Sequence, residues 1–245
     1  MRKFLTIKNK IKPFNKNITI EGDKSISIRW ALLASQAKGK STAINLLRSE
    51  DVLSTLDCLK KLGVKVKITK QICEINGVGL NGFVYKKKII LNAGNSGTLG
   101  RLILGLLVHS KKKIKLIGDK SLTKRDFARV TKPLEKFGAN IISKSGKLPI
   151  SISGTNNPKP IKFIENKGSA QCKSSVMLAA LNTNGITKIK AKKSRNHTEL
   201  LFKYLKIPIK VIEKKNYDYI EVKSPNKIEN FNYKIPSDIS SSAFF

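Results

Sequence analysis

GDKSISIRWALLA, from Gly22 to Ala34, crowds a glycine, an aspartate, a lysine, two serines and an arginine around the start of an apolar run. Small polar residues at a helix start leave the first N–H groups open, and the positive end of the helix dipole favours an anion there. The design returns as GNSGTLGRLILGLL from Gly94 and as GSAQCKSSVMLAAL from Gly168. The starts lie 72 and 74 residues apart (94 − 22 and 168 − 94), which marks an internal repeat. Each is followed by a second amphipathic stretch and a β-branched one: EDVLSTLDCLKKLGVKVKI, RDFARVTKPLEKFGANII and NHTELLFKYLKIPIKVI. Gly63 and Gly138 predict helix stops in the first two copies, and Pro208 predicts the break in the third. The pattern predicts an α/β (α+β) chain of three β-α-β-α-β-β units related by pseudo-threefold symmetry. Its strands include KVKI, CEIN, KIKLIG, PISISG and YIEVK.

Symmetry that points the three helix starts at a common surface gives a concave site for a polyanion. Taken singly, Asp23, Ser25, Asn95 and Ser96 read as ordinary N-caps; three copies in register favour the site. None of the three matches a familiar nucleotide loop. GNSGTLGR lacks the Lys-Ser/Thr ending of a phosphate-binding Walker loop and the glycine spacing of a dinucleotide fingerprint, so neither ATP nor NAD is expected, and no cofactor is.

Composition agrees with anionic partners. Lys and Arg number 49 against 16 Asp and Glu, a formal charge of +33, and 40% hydrophobic content supports a real core. Lysine is spread among Ile and Asn along the whole chain, as a compositional bias would also leave it. A nucleic-acid reader would want a basic stripe with interleaved aromatics, and with 7% aromatic residues none is visible along the chain, so no nucleic-acid partner is expected. Cys58, Cys73 and Cys172 form no C-x-x-C pair, and His109 and His197 have no partner at ligand spacing. No disulfide framework and no metal are expected. MRKFLTIKNKIKPF lacks a secretory apolar core and no apolar run reaches membrane length, so a soluble cytoplasmic protein with no membrane partner is expected.

The motifs resemble those of the enolpyruvyl transferases, in the branch that acts on 3-phosphoshikimate. GDKSISIR, GNSGTLGR, GDKSLTKRDF, SAQCKSSV, SRNHTE and PSDISSSAFF match six family segments in order. The resemblance implies an inside-out α/β barrel and transfer of the enolpyruvyl group of phosphoenolpyruvate to the 5-hydroxyl of 3-phosphoshikimate, releasing phosphate. It implies that Lys24 contacts both substrates, that Ser25, Arg29, Ser169, Gln171 and Ser194 hold 3-phosphoshikimate, and that Asn95, Gly97 and Arg125 hold phosphoenolpyruvate. Gly97 is also where sensitivity to glyphosate is set in that family. Arg101 and Lys173 read equally as substrate contacts or buried scaffold charges, and Lys111 to Lys113 as a solvated turn. Ile28, Glu21 and Ala170 stand where the family usually has a polar residue, a proline and, in some members, a serine.

The resemblance also implies a division of the chain. Residues 1–21, with FLTIKN, would give the first strand of a split second domain; 22–236 would be a complete three-unit substrate-binding domain; and 237–245, ending on Phe244 and Phe245, would begin the rest of the second domain. The family's proton-transfer residues, an acidic pair and a lysine, would then lie beyond Phe245, and the complete enzyme would be a monomer. Two alternatives compete. The UDP-N-acetylglucosamine branch typically has asparagine where Ser25 stands and a cysteine in the loop matched by GDKSLTKRDF, which has none. A basic nucleic-acid-binding protein rests on charge alone.

Overall fold

The computed structural model describes residue 15, residues 20–70 and residues 72–242. The strand expected in FLTIKN and the terminal phenylalanines lie outside these residues.

The expected repeat is present. The first unit runs through α1 (Lys24–Gln36), β1 (Lys38–Ile44), α2 (Glu50–Lys61), β2 (Lys65–Ile68) and β3 (Ile72–Val78). The second has β4 (Ile89–Asn92), α3 (Gly97–Leu106) and a 3-10 turn at Leu107–His109. It continues with β5 (Ile114–Ile117), a single turn α4 (Lys120–Thr123), α5 (Ala128–Lys136), β6 (Asn140–Lys144) and β7 (Lys147–Ser153). The third has β8 (Lys162–Glu165), α6 (Ala170–Ala180), β9 (Ile186–Lys192), α7 (His197–Tyr204), β10 (Ile209–Glu213) and β11 (Tyr217–Lys223). β12 (Asn232–Lys234) and α8 (Ile239–Ser242) follow.

Three four-stranded sheets result, in the orders β12-β1-β3-β2, β4-β5-β7-β6 and β8-β9-β11-β10. These are one topology three times over. In each, the first listed pair is parallel and the others antiparallel. The leading strand of the first sheet is β12, which follows the third unit in sequence and pairs with β1 from the far end of the chain. That closure brings the two chain segments together at the head of α1: Asp23 N–H donates to Pro236 O at 2.8 Å and Asp238 N–H to Glu21 O at 3.0 Å. Gly22 sits in the crossing, where a Cβ would come within 2.0 Å of Asn45 O.

Burial explains the layering. α1, α3 and α6 are buried nearly all round, as expected of helices rich in Leu, Ile and Ala with few charges, and they form the centre. The sheets pack outside them with period-two alternation, so Ile189 and Ala191 of β9 and Ile220 and Val222 of β11 face the helices while their neighbours face water. α2, α5 and α7 lie beside the central helices and bury one stripe each. Gly63 (φ +89°) and Gly138 (φ +106°) take left-handed backbone just past α2 and α5, as their sequence position requires. In the third unit that position belongs to Lys206 (φ +54°), and α7 has already ended at Tyr204. The break therefore precedes Pro208, which leads into β10.

Candidate functional site

The heads of the central helices carry the repeated motifs, and each is capped by its own residue. Asp23 Oδ1 accepts from Ile26 N–H at 2.7 Å, Ser96 Oγ from Leu99 N–H at 3.2 Å and Ser169 Oγ from Cys172 N–H at 3.3 Å. Asp23 and Ser96 are thus true N-caps, whereas Ser25 and Asn95 are turned to other partners. Ser169, expected as a ligand, also serves as a cap.

At the head of α3 the structure brings together Asn95, Gly97, Arg125 and Gln171. Asn95 Nδ2 donates to Asp119 Oδ2 at 2.8 Å, and Arg125 Nη2 donates to Asn95 Oδ1 at 2.9 Å. Gly97 opens the helix beneath two guanidiniums: a Cβ there would lie 2.8 Å from Arg101 Nη1 and 3.1 Å from Arg125 Nη1. Arg101 Nη1 donates to Gln171 Oε1 at 2.7 Å, and Gln171 Nε2 donates to Thr98 Oγ1 at 3.1 Å. Arg101 also lies 4.9 Å above the Phe127 ring and donates to Asp126 O at 3.1 Å. Burial lowers its pKa. Arg101, undecided from sequence, is a half-buried clamp that fixes Gln171, with the exposed Arg125 beside it.

At the head of α1, Arg29 is 3% exposed, and the structure gathers Ser25 around it. Its Nη1 donates to Ser25 Oγ at 2.7 Å and to Ser25 O at 3.0 Å; Nε donates to Thr198 Oγ1 at 2.8 Å and Nη2 to Ser174 Oγ at 3.2 Å. Thr198 and Ser174 complete the set at 2.7 Å. Burial pulls the Arg29 pKa down to about 10, opposed by the carboxylates of Glu199 and Asp23. α6 links the two clusters, because Gln171 and Ser174 stand three residues apart on one helical face.

Three expected residues lie at the margins. Lys24 turns toward α2, where its Nζ is 3.1 Å from Asp51 Oδ2 with half of its side chain exposed. Ser169 N–H donates to Glu165 Oε2 at 2.9 Å, so a buried carboxylate holds the loop before α6. Ser194 Oγ is buried and has no hydrogen-bond partner among the described residues. Its neighbour Arg195 lies close enough to Arg29 and His197 to oppose protonation of both.

Lys173 is scaffold. Its side chain is 0% exposed and its Nζ lies 2.6 Å from Glu199 Oε1. Glu199 also faces Arg29, so one carboxylate serves two buried cations. Ile28, departing from the resembled pattern, is wholly buried and belongs to the core. Lys111, Lys112 and Lys113 are exposed between the 3-10 turn and β5.

Asp51, Asp119, Ser174, Thr198 and Glu199 were not singled out from sequence. Asp51 and Asp119 open helices where an acid is expected anyway, which hides their second role. Nothing in the sequence links Arg29 to Thr198, 169 residues away. Among the described residues no group of His, Cys, Asp and Glu converges to hold a metal, and no helix is long and apolar enough to cross a membrane.

Three units with helices inside and sheets outside, and with arginines and hydroxyls at the heads of the central helices, define an enolpyruvyl-transferase type of fold. The chain belongs to the EPSP synthase (3-phosphoshikimate 1-carboxyvinyltransferase) family, whose model matches residues 8–245. It is 40% identical over 231 residues to a 3-phosphoshikimate 1-carboxyvinyltransferase of Caldicellulosiruptor saccharolyticus, covering 93% of this chain and 53% of that protein. The counterpart from Caldicellulosiruptor bescii is 40% identical over 235 residues, with 94% and 53% covered. A solved EPSP synthase from Acinetobacter baumannii superposes with a TM-score of 0.84 at 35% identity, covering 93% of this chain and 51% of that one. The chain thus spans about half the length of the relatives it matches.

Proposed function

We propose that this chain is the substrate-binding part of a 3-phosphoshikimate 1-carboxyvinyltransferase. In that reaction the 5-hydroxyl of 3-phosphoshikimate loses its proton as its oxygen bonds to C2 of phosphoenolpyruvate and the methylene gains a proton; loss of a proton from the resulting methyl group as inorganic phosphate leaves C2 then restores the double bond of the enol ether. Residues 22–236 form the three-unit binding domain. The reading comes from family membership and from one observation in particular: α6 joins the Arg101–Gln171 pair to the Arg29–Ser174 pair within one helical turn.

Arg29, held on three sides and buried, presents a fixed guanidinium beside Ser25 for the phosphate of 3-phosphoshikimate, with Ser169, Gln171 and Ser194 completing that site. Guanidinium favours such an anion because its forked donors match phosphate oxygens. Ser194 Oγ, buried without a partner, is available to a ligand oxygen. Asn95, Gly97 and Arg125 take phosphoenolpyruvate at the head of α3, and Lys24 reaches both ligands after leaving Asp51. These groups bind and orient; proton transfer is not assigned to any of them. The complete enzyme is a cytoplasmic monomer, inhibited by glyphosate at the phosphoenolpyruvate site.

Phosphorus NMR tests the reading. Titrating the chain into a mixture of both substrates should broaden both phosphate resonances, and Arg125→Ala should restore a sharp phosphoenolpyruvate line while 3-phosphoshikimate stays broad. Equal broadening of inorganic phosphate and both substrates, unchanged in the variant, would contradict it.

A further inference from the structure

The outer face of the third sheet brings together residues that the sequence keeps apart. Register places Ile164, Lys190, Tyr219 and Ile212 in one row across β8, β9, β11 and β10, and Lys162, Lys188, Glu221 and Lys210 in the next. Side chains in adjacent rows on one face are two residues apart along each strand, roughly 6.6 Å. A third row pairs Lys192 with Tyr217, and Lys223 closes the face beside Ile186.

The rows differ in chemistry. One holds three lysines and one carboxylate, Glu221, which pairs with Lys188 at 3.1 Å. The neighbouring row is aromatic and apolar and open to water: Tyr219 is 42% exposed, Ile164 61% and Ile212 44%. Lys190 Nζ lies 4.9 Å from the Tyr217 ring centre and 5.7 Å from that of Tyr219, which steadies both rings. The other two sheets lack this pairing. The first presents Lys38, Lys40, Lys65 and Lys67 around Glu74 with Ile44 and Ile72 exposed at one end, and the second presents Lys115, Lys144 and Lys147 with Ile90, Ile142, serines and Pro149; both set apolar residues beside lysines, but neither has an outward tyrosine among the described residues.

We propose that the outer face of the β8-β9-β11-β10 sheet binds single-stranded nucleic acid, running across the strands with phosphates on the Lys162–Lys188–Lys210 row and bases against Tyr219, Ile164 and Ile212. Charge complementarity is strong: Lys162, Lys188, Lys190, Lys192, Lys210 and Lys223 face a single glutamate on a chain of net charge +33. Bases stack on exposed aromatics whatever their identity, so little sequence preference is expected. Side-by-side basic and apolar rows in one plane match a polymer with a charged backbone and flat apolar bases. An anionic bilayer would instead be met by an apolar wedge projecting from a basic rim. The expectation of no nucleic-acid partner rested on the lack of a basic, aromatic stripe along the chain; the sheet assembles one from four separate strands.

The test is fluorescence anisotropy of the whole chain with a labelled oligothymidylate of about ten nucleotides, at several salt concentrations. Binding should weaken with salt. Lys162→Ala/Lys188→Ala/Lys210→Ala should weaken it about tenfold or more and reduce the log–log salt slope by roughly two, at roughly 0.7 per phosphate contact. Lys38→Ala/Lys65→Ala/Lys67→Ala, with the same change in net charge but on the first sheet, should have much less effect. Tyr219→Ser should weaken binding without changing the slope. Equal losses from both triple variants, no effect of Tyr219→Ser, no binding at low salt, or tighter binding to phosphatidylglycerol vesicles than to the oligonucleotide would each overturn the proposal. None of these residues lies at the helix heads, so 3-phosphoshikimate binding by the triple variants reports separately on the proposed enzyme site.

Discussion

Lys173 and Glu199 meet at 2.6 Å with their side chains 0% and 4% exposed, and Glu199 is also the carboxylate nearest to neutralising buried Arg29. Two cations and one anion are locked between α1, α6 and α7. The asymmetry sets the cost of removing each member. Lys173→Met leaves Glu199 facing Arg29 and should cost about 3 kcal/mol, whereas Glu199→Leu strands two buried cations and should cost about 5 kcal/mol. Urea denaturation at neutral pH orders the two. A smaller loss for Glu199→Leu would show that Arg29 is balanced by another group.

Gly97 leaves room for two guanidiniums rather than filling a turn. A methyl group there would lie 2.8 Å from Arg101 Nη1, which must shift, and 3.1 Å from Arg125 Nη1, which must give by a few tenths of an ångström. Gly97→Ala should therefore weaken phosphoenolpyruvate binding several-fold and relieve glyphosate inhibition of the complete enzyme. The thermal midpoint should hold or rise, because alanine favours the first turn of α3. Inhibition curves at matched ratios of phosphoenolpyruvate to its KM measure this, and superimposable curves would remove Gly97 from the pocket wall.

His109, at the end of the 3-10 turn, has its pKa pushed down by burial from 6.5 to about 4. The unfolded chain therefore takes up this proton first as pH falls. The stability linked to the neutral ring is complete above about pH 6.5 and is lost progressively as pH falls toward 4. The thermal midpoint of wild type should fall relative to that of His109→Gln as pH drops from about 6.5 toward 4. Parallel curves across that window would contradict the assignment.

Much of the fold is readable from the chain because its determinants are local. Periodic apolar runs, the glycines at 63 and 138 and the 72- and 74-residue spacing all follow from short-range patterns. The closure of the first sheet by β12 is not readable, since three residues, Asn232–Lys234, carry no strand signal apart from their partner β1. Site residues divide the same way. Motif glycines, serines and arginines announce themselves, but the groups that hold them do not. Thr198 and Ser174 hold Arg29 through contacts made only when the first and third units pack, and Asp119 holds Asn95 and Asp51 holds Lys24 across separate elements within one unit. The basic, aromatic face of the third sheet is invisible for the same reason: it alternates with core residues on four strands.

The central claim is that the heads of the buried helices form a site for a phosphorylated ring, and isothermal titration calorimetry of 3-phosphoshikimate against shikimate tests it most directly. 3-Phosphoshikimate should give saturable heat that weakens with salt, with about a tenfold loss in affinity in Lys24→Met, and shikimate should give little heat, because charge-assisted contacts to the phosphate supply most of the difference. Equal affinity for shikimate and 3-phosphoshikimate, unchanged in Lys24→Met, would contradict it.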